Sequence, residues 1–245
     1  LGYMDMILLF VHSRCGMIGL SGMEKKSRDL LKYNYMYNFL SHIPENPTKN
    51  SKCIIMLHGV WSNQDDLFAL TSNFSEDTYI FSLQWCFSLG SGRYAWYPVD
   101  FSTGKPLYSR EDVGKGYEYI LDCIQEIAGE YQLSPKQIFL MGFSQWAIMS
   151  YYTLYRSPEL IGGIIALSGR LLAEIDIAHI QKEPYSSKRV FIWYGNQDRV
   201  ISVESSHLAA QLVQDLSIEP MVRIYPIGHT ISHDEIVDIV NWSKV

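Results

Sequence analysis

A serine, an aspartate and a histidine each stand just past an apolar run. They are Ser144 in "QIFLMGFSQW", Asp198 in "RVFIWYGNQD" and His229 in "MVRIYPIGH". A serine hydroxyl is a poor nucleophile at neutral pH until a neighbouring base takes its proton. His229 is the candidate base. Asp198 would hold the imidazole in one tautomer and stabilise the imidazolium that forms. Attack on an acyl carbon creates an oxyanion, which needs aimed N–H donors. The backbone N–H of Gln145, at the start of the helical pattern after the serine, is one candidate. That of Val60, in the loop after "LHG", is the other. Each such donor contributes on the order of 10²–10³ in rate.

Taken singly, these residues have plainer uses. Ser144 could simply cap a helix, and Asp198 could open the turn-rich "GNQD". His229 and His233 are four apart, but H-E-x-x-H is absent and Gly228 precedes the first, which argues against a metal site. His58 reads as a structural hydrogen-bonder beside the Val60 loop, and His207 as part of an exposed helix face.

The elements that must position these groups alternate from Ser51 onward. "CIIML", "TYIFSLQ", "QIFLMG", "IGGIIALSG", "RVFIWYG" and "MVRIYPI" read as strands. Between them lie helical patterns. One starts at Ser62 or Asn63, with Asp65 and Asp66 in its first turn. Another follows a capping box at Ser109 and Asp112, its apolar face marked by Val113, Tyr117, Ile120, Leu121, Ile124, Ile127 and Ala128. "QWAIMSYYTLYR" follows the serine. "SVESSHLAAQLVQDL" carries Leu208, Leu212, Val213 and Leu216 at helical spacing, and "SHDEIVDIVNW" opens on a capping box at Ser232 and Glu235. Strands alternating with helices imply a mostly parallel sheet covered on both faces, with functional groups at the strands' carboxyl ends. The segment from Trp85 to Tyr108 is aromatic and reads as irregular.

Composition narrows the classes. At 245 residues with 47% hydrophobic and 19% charged, the chain can bury a large core and is not a disordered segment. A net charge of −6 disfavours nucleic acid and anionic membrane as partners. Cys15, Cys53, Cys86 and Cys123 are scattered, which fits a reducing, cytoplasmic setting better than a disulfide framework or a thiolate metal site. "MILLFV" near the start is too short to span a bilayer, so no stable membrane insertion is expected. Residues 1–22 read as an N-terminal extension outside the fold, with translation starting at Met23. Residues 23–245 read as one domain.

The order Ser…Asp…His is that of α/β-hydrolase triads. "LHGVWSNQDDLF", "GFSQWAIMSYY", "YGNQDRVISV" and "YPIGHTIS" together resemble the four motifs of the phospholipase/carboxylesterase family, over about residue 52 to the C-terminus. That resemblance implies an α/β-hydrolase fold without a large cap. It implies cofactor-free hydrolysis of small carboxylic esters or thioesters through an acyl-enzyme, with homodimers among its members. It transfers the triad to Ser144, Asp198 and His229, the oxyanion donors to Val60 and Gln145, and a substrate-groove aromatic to Trp96 in "RYAWYP".

The chain departs from the pattern where glycines are expected. Trp61 follows "HGV" and Trp146 follows "GFSQ". An indole at 146 would overpack the tight turn, at a cost of about 1–3 kcal/mol or more. One at 61 would displace the Val60 N–H. Trp193 stands where relatives often have a smaller residue. These departures raise the alternative of an impaired relative kept as a binding protein. A UGA codon read as glycine in the cell but written as tryptophan would leave the same pattern, an idea that UGG at codons 61 and 146 of the gene would overturn.

Overall fold

Nine strands form two sheets among the described residues, which are 38–85, 87–100, 102, 106–175 and 183–244 of a computed structural model. The N-terminal extension expected over 1–22 and the domain start expected at 23 lie outside them. The strands are β1 (Asn38–His42), β2 (Cys53–Leu57), β3 (Tyr79–Gln84), β4 (Phe87–Gly90), β5 (Arg93–Ala95), β6 (Ile138–Phe143), β7 (Gly163–Leu167), β8 (Arg189–Gly195) and β9 (Met221–Tyr225). The helices are α1 (Gln64–Phe68), α2 (Arg110–Glu130), α3 (Gln145–Arg156), α4 (Val203–Asp215) and α5 (His233–Ser243). The main sheet runs β1-β3-β2-β6-β7-β8-β9. It is parallel throughout except for β1, which pairs antiparallel to β3.

The central strands are continuous apolar runs because both of their faces are covered. All five residues of β2 are buried. Cys53, Ile55 and Leu57 join a core with Val113, Tyr117 and Ile124 of α2, with α3, and with Ala209 and Val213 of α4. Ile54 and Met56 face the other way, onto Leu67 of α1 and Ile239 and Trp242 of α5. This period-two division is what a pleated strand between two helical layers requires. Each buried Ile or Leu side chain contributes about 1.5–3 kcal/mol.

Two expectations need correction. The 85–108 segment is not wholly irregular: β4 and β5 form a hairpin. Its turn residues Ser91 and Gly92 have φ of 54° and 70°, the paired left-handed conformation that two-residue hairpin turns favour. In α4, Leu208 is 65% exposed, and Ala209, Leu212 and Val213 carry the buried face. At α2, Ser109 Oγ accepts the Asp112 N–H at 3.3 Å, so the serine half of the expected capping box forms. The box at Ser232 and Glu235 forms in both directions.

No helix among the described residues is long and apolar enough to cross a membrane.

Candidate active site

Strand β6 ends at Phe143, and α3 begins two residues later. The backbone must reverse sharply at Ser144, which takes φ 63° and ψ −119°, a sparsely populated combination for a residue with a β-carbon. Its N–H donates to the Leu167 carbonyl at 2.9 Å, tying the turn to the end of β7. Helix α3 passes so close to β6 that a β-carbon at Gly142 would lie 2.6 Å from Trp146 Cβ. Glycine is required there.

The other two groups arrive on loops locked together. Past β8, Asn196 N–H donates to Tyr225 O at 2.9 Å and Gln197 N–H to Ile227 O at 3.0 Å. A β-carbon at Gly195 would meet Ile227 O at 2.2 Å. This close approach brings Asp198 beside His229. His229 Nδ1–H donates to Asp198 Oδ2 at 2.6 Å, and Ser144 Oγ–H donates to His229 Nε2 at 3.0 Å. The donor directions follow from the carboxylate, which when ionised can only accept.

The Asp198 side chain has no exposed surface. Burial pushes its carboxyl up. The hydrogen bond and charge of His229, and the N–H groups of Ile201 and Val200, outweigh that and hold it below the usual carboxylate range. Those N–H groups reach Asp198 Oδ1 at 3.0 and 2.8 Å. The Phe143 ring lies against His229, centroids 4.6 Å apart, and restricts the imidazole's rotation.

The oxyanion candidates sit on either side of the turn. Gln145 is the first residue of α3, where backbone N–H groups have no partner within the helix. The Val60 loop runs beside the turn: a β-carbon at Gly59 would lie 3.7 Å from Phe143 O. The hairpin clamps this loop, with Trp61 N–H donating to Tyr94 O at 3.1 Å and Tyr94 N–H to Ser62 O at 2.9 Å.

Trp96, expected at the substrate groove, has no exposed surface. Its ring is enclosed by His58, Trp85, Tyr119 and Trp146, so it offers a ligand nothing in this conformation. Its contribution comes through the backbone. Trp96 N–H donates to Gln145 Oε1 at 3.0 Å, and Gln145 Nε2 donates to Tyr97 O at 2.9 Å. The buried Gln145 amide thus fastens the 96–97 segment to the residue after Ser144. Sequence reasoning gives Gln145 only a backbone role and misses this one. A polar side chain in the first turn of an otherwise apolar helix is the signal that points to it.

His58 is fully buried, and its Nδ1–H donates to Gly59 O at 3.0 Å. Burial pushes it down to about 4, against the Gly59 bond and the Asp66 charge. It therefore stays neutral at physiological pH and holds the loop, as expected of a structural histidine. His207 is exposed.

The two unexpected tryptophans fare differently. Trp61 is 52% exposed and has φ 63°, where residues other than glycine are strained by about 1–2 kcal/mol. Trp61→Gly is expected to raise stability by about 1 kcal/mol, since little packing is lost. A urea titration measures it, and a lowered midpoint would show that the indole contributes more than its strain costs. Trp146 is wholly enclosed. Its ring centroid lies 4.0 Å from that of Trp96 and 4.4 Å from that of His58, below the 4.5–7 Å of relaxed aromatic pairs. Its indole N–H has no hydrogen-bond partner, and neither has that of the buried Trp193.

The His229 loop ends on a second buried carboxylate. Ser232 N–H and Oγ–H donate to Glu235 at 2.8 and 2.9 Å. Burial pushes Glu235 up to about 7 from an ordinary 4.5, although the Ser232 bonds favour the ionised form. The folded state therefore holds this proton between those values. The associated stability is full below about 4.5 and is lost as pH rises through about 7. Glu235→Gln is expected to remove that fall, a relative gain on the order of 2–3 kcal/mol at pH 8 over pH 5. Urea midpoints of both proteins across this range measure it, and parallel curves would overturn it.

Residues 40–244 match the model of the family described as Phospholipase/Carboxylesterase. Acyl-protein thioesterase 1 of Candida albicans is 25% identical over 220 residues, covering 82% of this chain and 95% of that protein. Carboxylesterase SOBER1 of Arabidopsis thaliana is 27% identical over 158 residues, covering 61% of this chain and 67% of that one. The Bacillus cereus carboxylesterase structure superposes with a TM-score of 0.74 at 18% identity, covering 88% of this chain and 97% of the other.

Proposed function

The chain belongs to the phospholipase/carboxylesterase family, and from that premise we propose that it is a serine hydrolase of small carboxylic esters or thioesters. The observation that carries this reading is the continuous hydrogen-bond chain Ser144–His229–Asp198, at 3.0 and 2.6 Å. Ser144 Oγ attacks the acyl carbon as its proton passes to His229 Nε2. The tetrahedral oxyanion draws on the N–H groups of Val60 and Gln145. Its collapse breaks the bond to the alcohol or thiol, which leaves with the proton from His229. Water, deprotonated by the same imidazole, then attacks the acyl-enzyme and releases the acid. Asp198 stays ionised and stabilises the imidazolium in both halves. Every step is supplied by side chains and backbone, so the reading needs no metal or cofactor.

A reducing, cytoplasmic setting agrees with the buried, unpaired thiols of Cys53 and Cys123. Turnover of a p-nitrophenyl ester, with fluorophosphonate labelling mapped by mass spectrometry, tests the proposal. A label carried anywhere but Ser144 removes the proposed nucleophile. The crowding of Trp146 favours a second reading, in which the chain as written keeps the fold but is impaired in turnover and acts by binding. Turnover by the unmodified chain at the level reached after relieving that crowding would remove it.

A further inference from the structure

The end of the sheet opposite Ser144 holds a cleft of about 250 Å³ lined by Lys52, Lys136, Phe139, Gly162, Ser187, Lys188 and Arg189. Its composition follows from topology. Lys52 immediately precedes β2, Lys136 lies two residues before β6, Gly162 precedes β7, Lys188 precedes β8 and Arg189 begins it. These four strands are consecutive neighbours in the sheet. Their amino ends therefore bring four cationic side chains to one cleft, which spans roughly three strand spacings of about 4.8 Å. No carboxylate lines the cleft among the described residues, in a protein whose net charge is −6.

The floor is tightly packed. A β-carbon at Gly162 would lie 2.5 Å from Lys136 O, so only glycine fits there. The buried Phe139 ring has Lys52 Nζ 5.9 Å and Arg189 Cζ 5.8 Å from its centroid. Two of the cations are held in place. Arg189 donates to Trp242 O at 2.6 Å. Lys188 Nζ donates to Ile161 O at 2.8 Å, which leaves an ammonium with further donors. Lys188 is pulled below the usual lysine range by partial burial and by the Lys136 charge, with Glu159 opposing. Like charges gathered on a partly desolvated floor are the arrangement an oxyanion would relieve.

We propose that this cleft is a binding site for a diphosphate group, free or at the end of a small soluble molecule. Several cations lining one cleft match a multiply charged anion better than a single carboxylate. The volume is below the 300–1,000 Å³ of pockets that enclose drug-sized ligands, but it admits a diphosphate. The site is separated from Ser144 by the length of β6.

Isothermal titration of the full chain with inorganic pyrophosphate tests this, with ADP and orthophosphate as parallel ligands at constant ionic strength. Saturable pyrophosphate binding with a Kd below about 1 mM is expected, weakened at least tenfold by Lys136→Ser and by Lys52→Ser. Both residues lie outside the apolar core, so the unliganded melting temperature should be kept. Tighter binding of ADP than of pyrophosphate would identify a nucleotide as the source, weaker binding would identify the inorganic anion, and equal binding would show that the diphosphate alone is recognised. No saturable heat to about 10 mM overturns the proposal. So does binding that both folded variants retain unchanged, or an effect reproduced by sodium chloride at matched ionic strength.

Discussion

Ser144→Ala is expected to lower ester hydrolysis by about 10⁴-fold or more and to abolish fluorophosphonate labelling, with the fold intact. The size follows from how a triad works. Removing the nucleophile leaves only substrate binding and oxyanion stabilisation, so the loss approaches that of removing the whole triad. Retained folding follows from the site's construction. The Ser144 side chain contributes a hydrogen bond to His229, whereas the turn is held by its backbone bond to Leu167 and by the approach of Gly142 to Trp146. Steady-state kinetics and labelling measure the outcome. A variant within tenfold of its parent would show that another group attacks the ester. Making the substitution both in the unmodified chain and alongside Trp146→Gly keeps the comparison informative if the parent turns over slowly.

Trp146→Gly is expected to raise turnover about tenfold while changing stability by no more than about 2 kcal/mol, because the relief of overpacking offsets most of the packing lost. Two magnitudes compete. Emptying a well-packed site of an indole costs about 3–5 kcal/mol, and glycine within a helix costs about 1 more. Against this stand ring separations of 4.0 and 4.4 Å, an indole N–H buried without a partner, and a place at the second residue of α3, where helix propensity weighs least. An unpartnered buried donor alone costs about 1–3 kcal/mol. The catalytic gain has a direct route, because the crowded neighbours are His58 and Trp96. The first supports the Val60 loop and the second binds the Gln145 amide. Relieving them lets the two proposed oxyanion donors, the N–H groups of Val60 and Gln145, settle. Thermal melts and kcat/KM decide it. A drop of 3 kcal/mol or more would show that the indole is ordinary core.

The site was far more legible than its surroundings. That Ser144, Asp198 and His229 meet could be anticipated because parallel strands bring the residues past their carboxyl ends to one edge of the sheet, and apolar runs mark where those ends fall. β1 could not. Its five residues alternate only weakly in burial, and their conformation comes from pairing with β3 rather than from their own pattern. The β4–β5 hairpin was hidden by its aromatic content, although Ser91-Gly92 carried a turn signal. Trp96 shows a different limit. An aromatic residue fits a groove wall and a core equally well, and only packing separates them. Leu208 sits at helical spacing yet faces solvent, because α4 turns its small residues, Ser206 and Ala209, toward the sheet.

The backbone at Ser144, with φ 63° and ψ −119°, has a consequence for how the nucleophile is removed. That conformation costs a residue with a β-carbon roughly 1–3 kcal/mol, which glycine would largely escape. In this chain Ser144→Gly would therefore stabilise the turn while removing the proposed nucleophile, whereas Ser144→Ala, which keeps the β-carbon, would leave the strain in place.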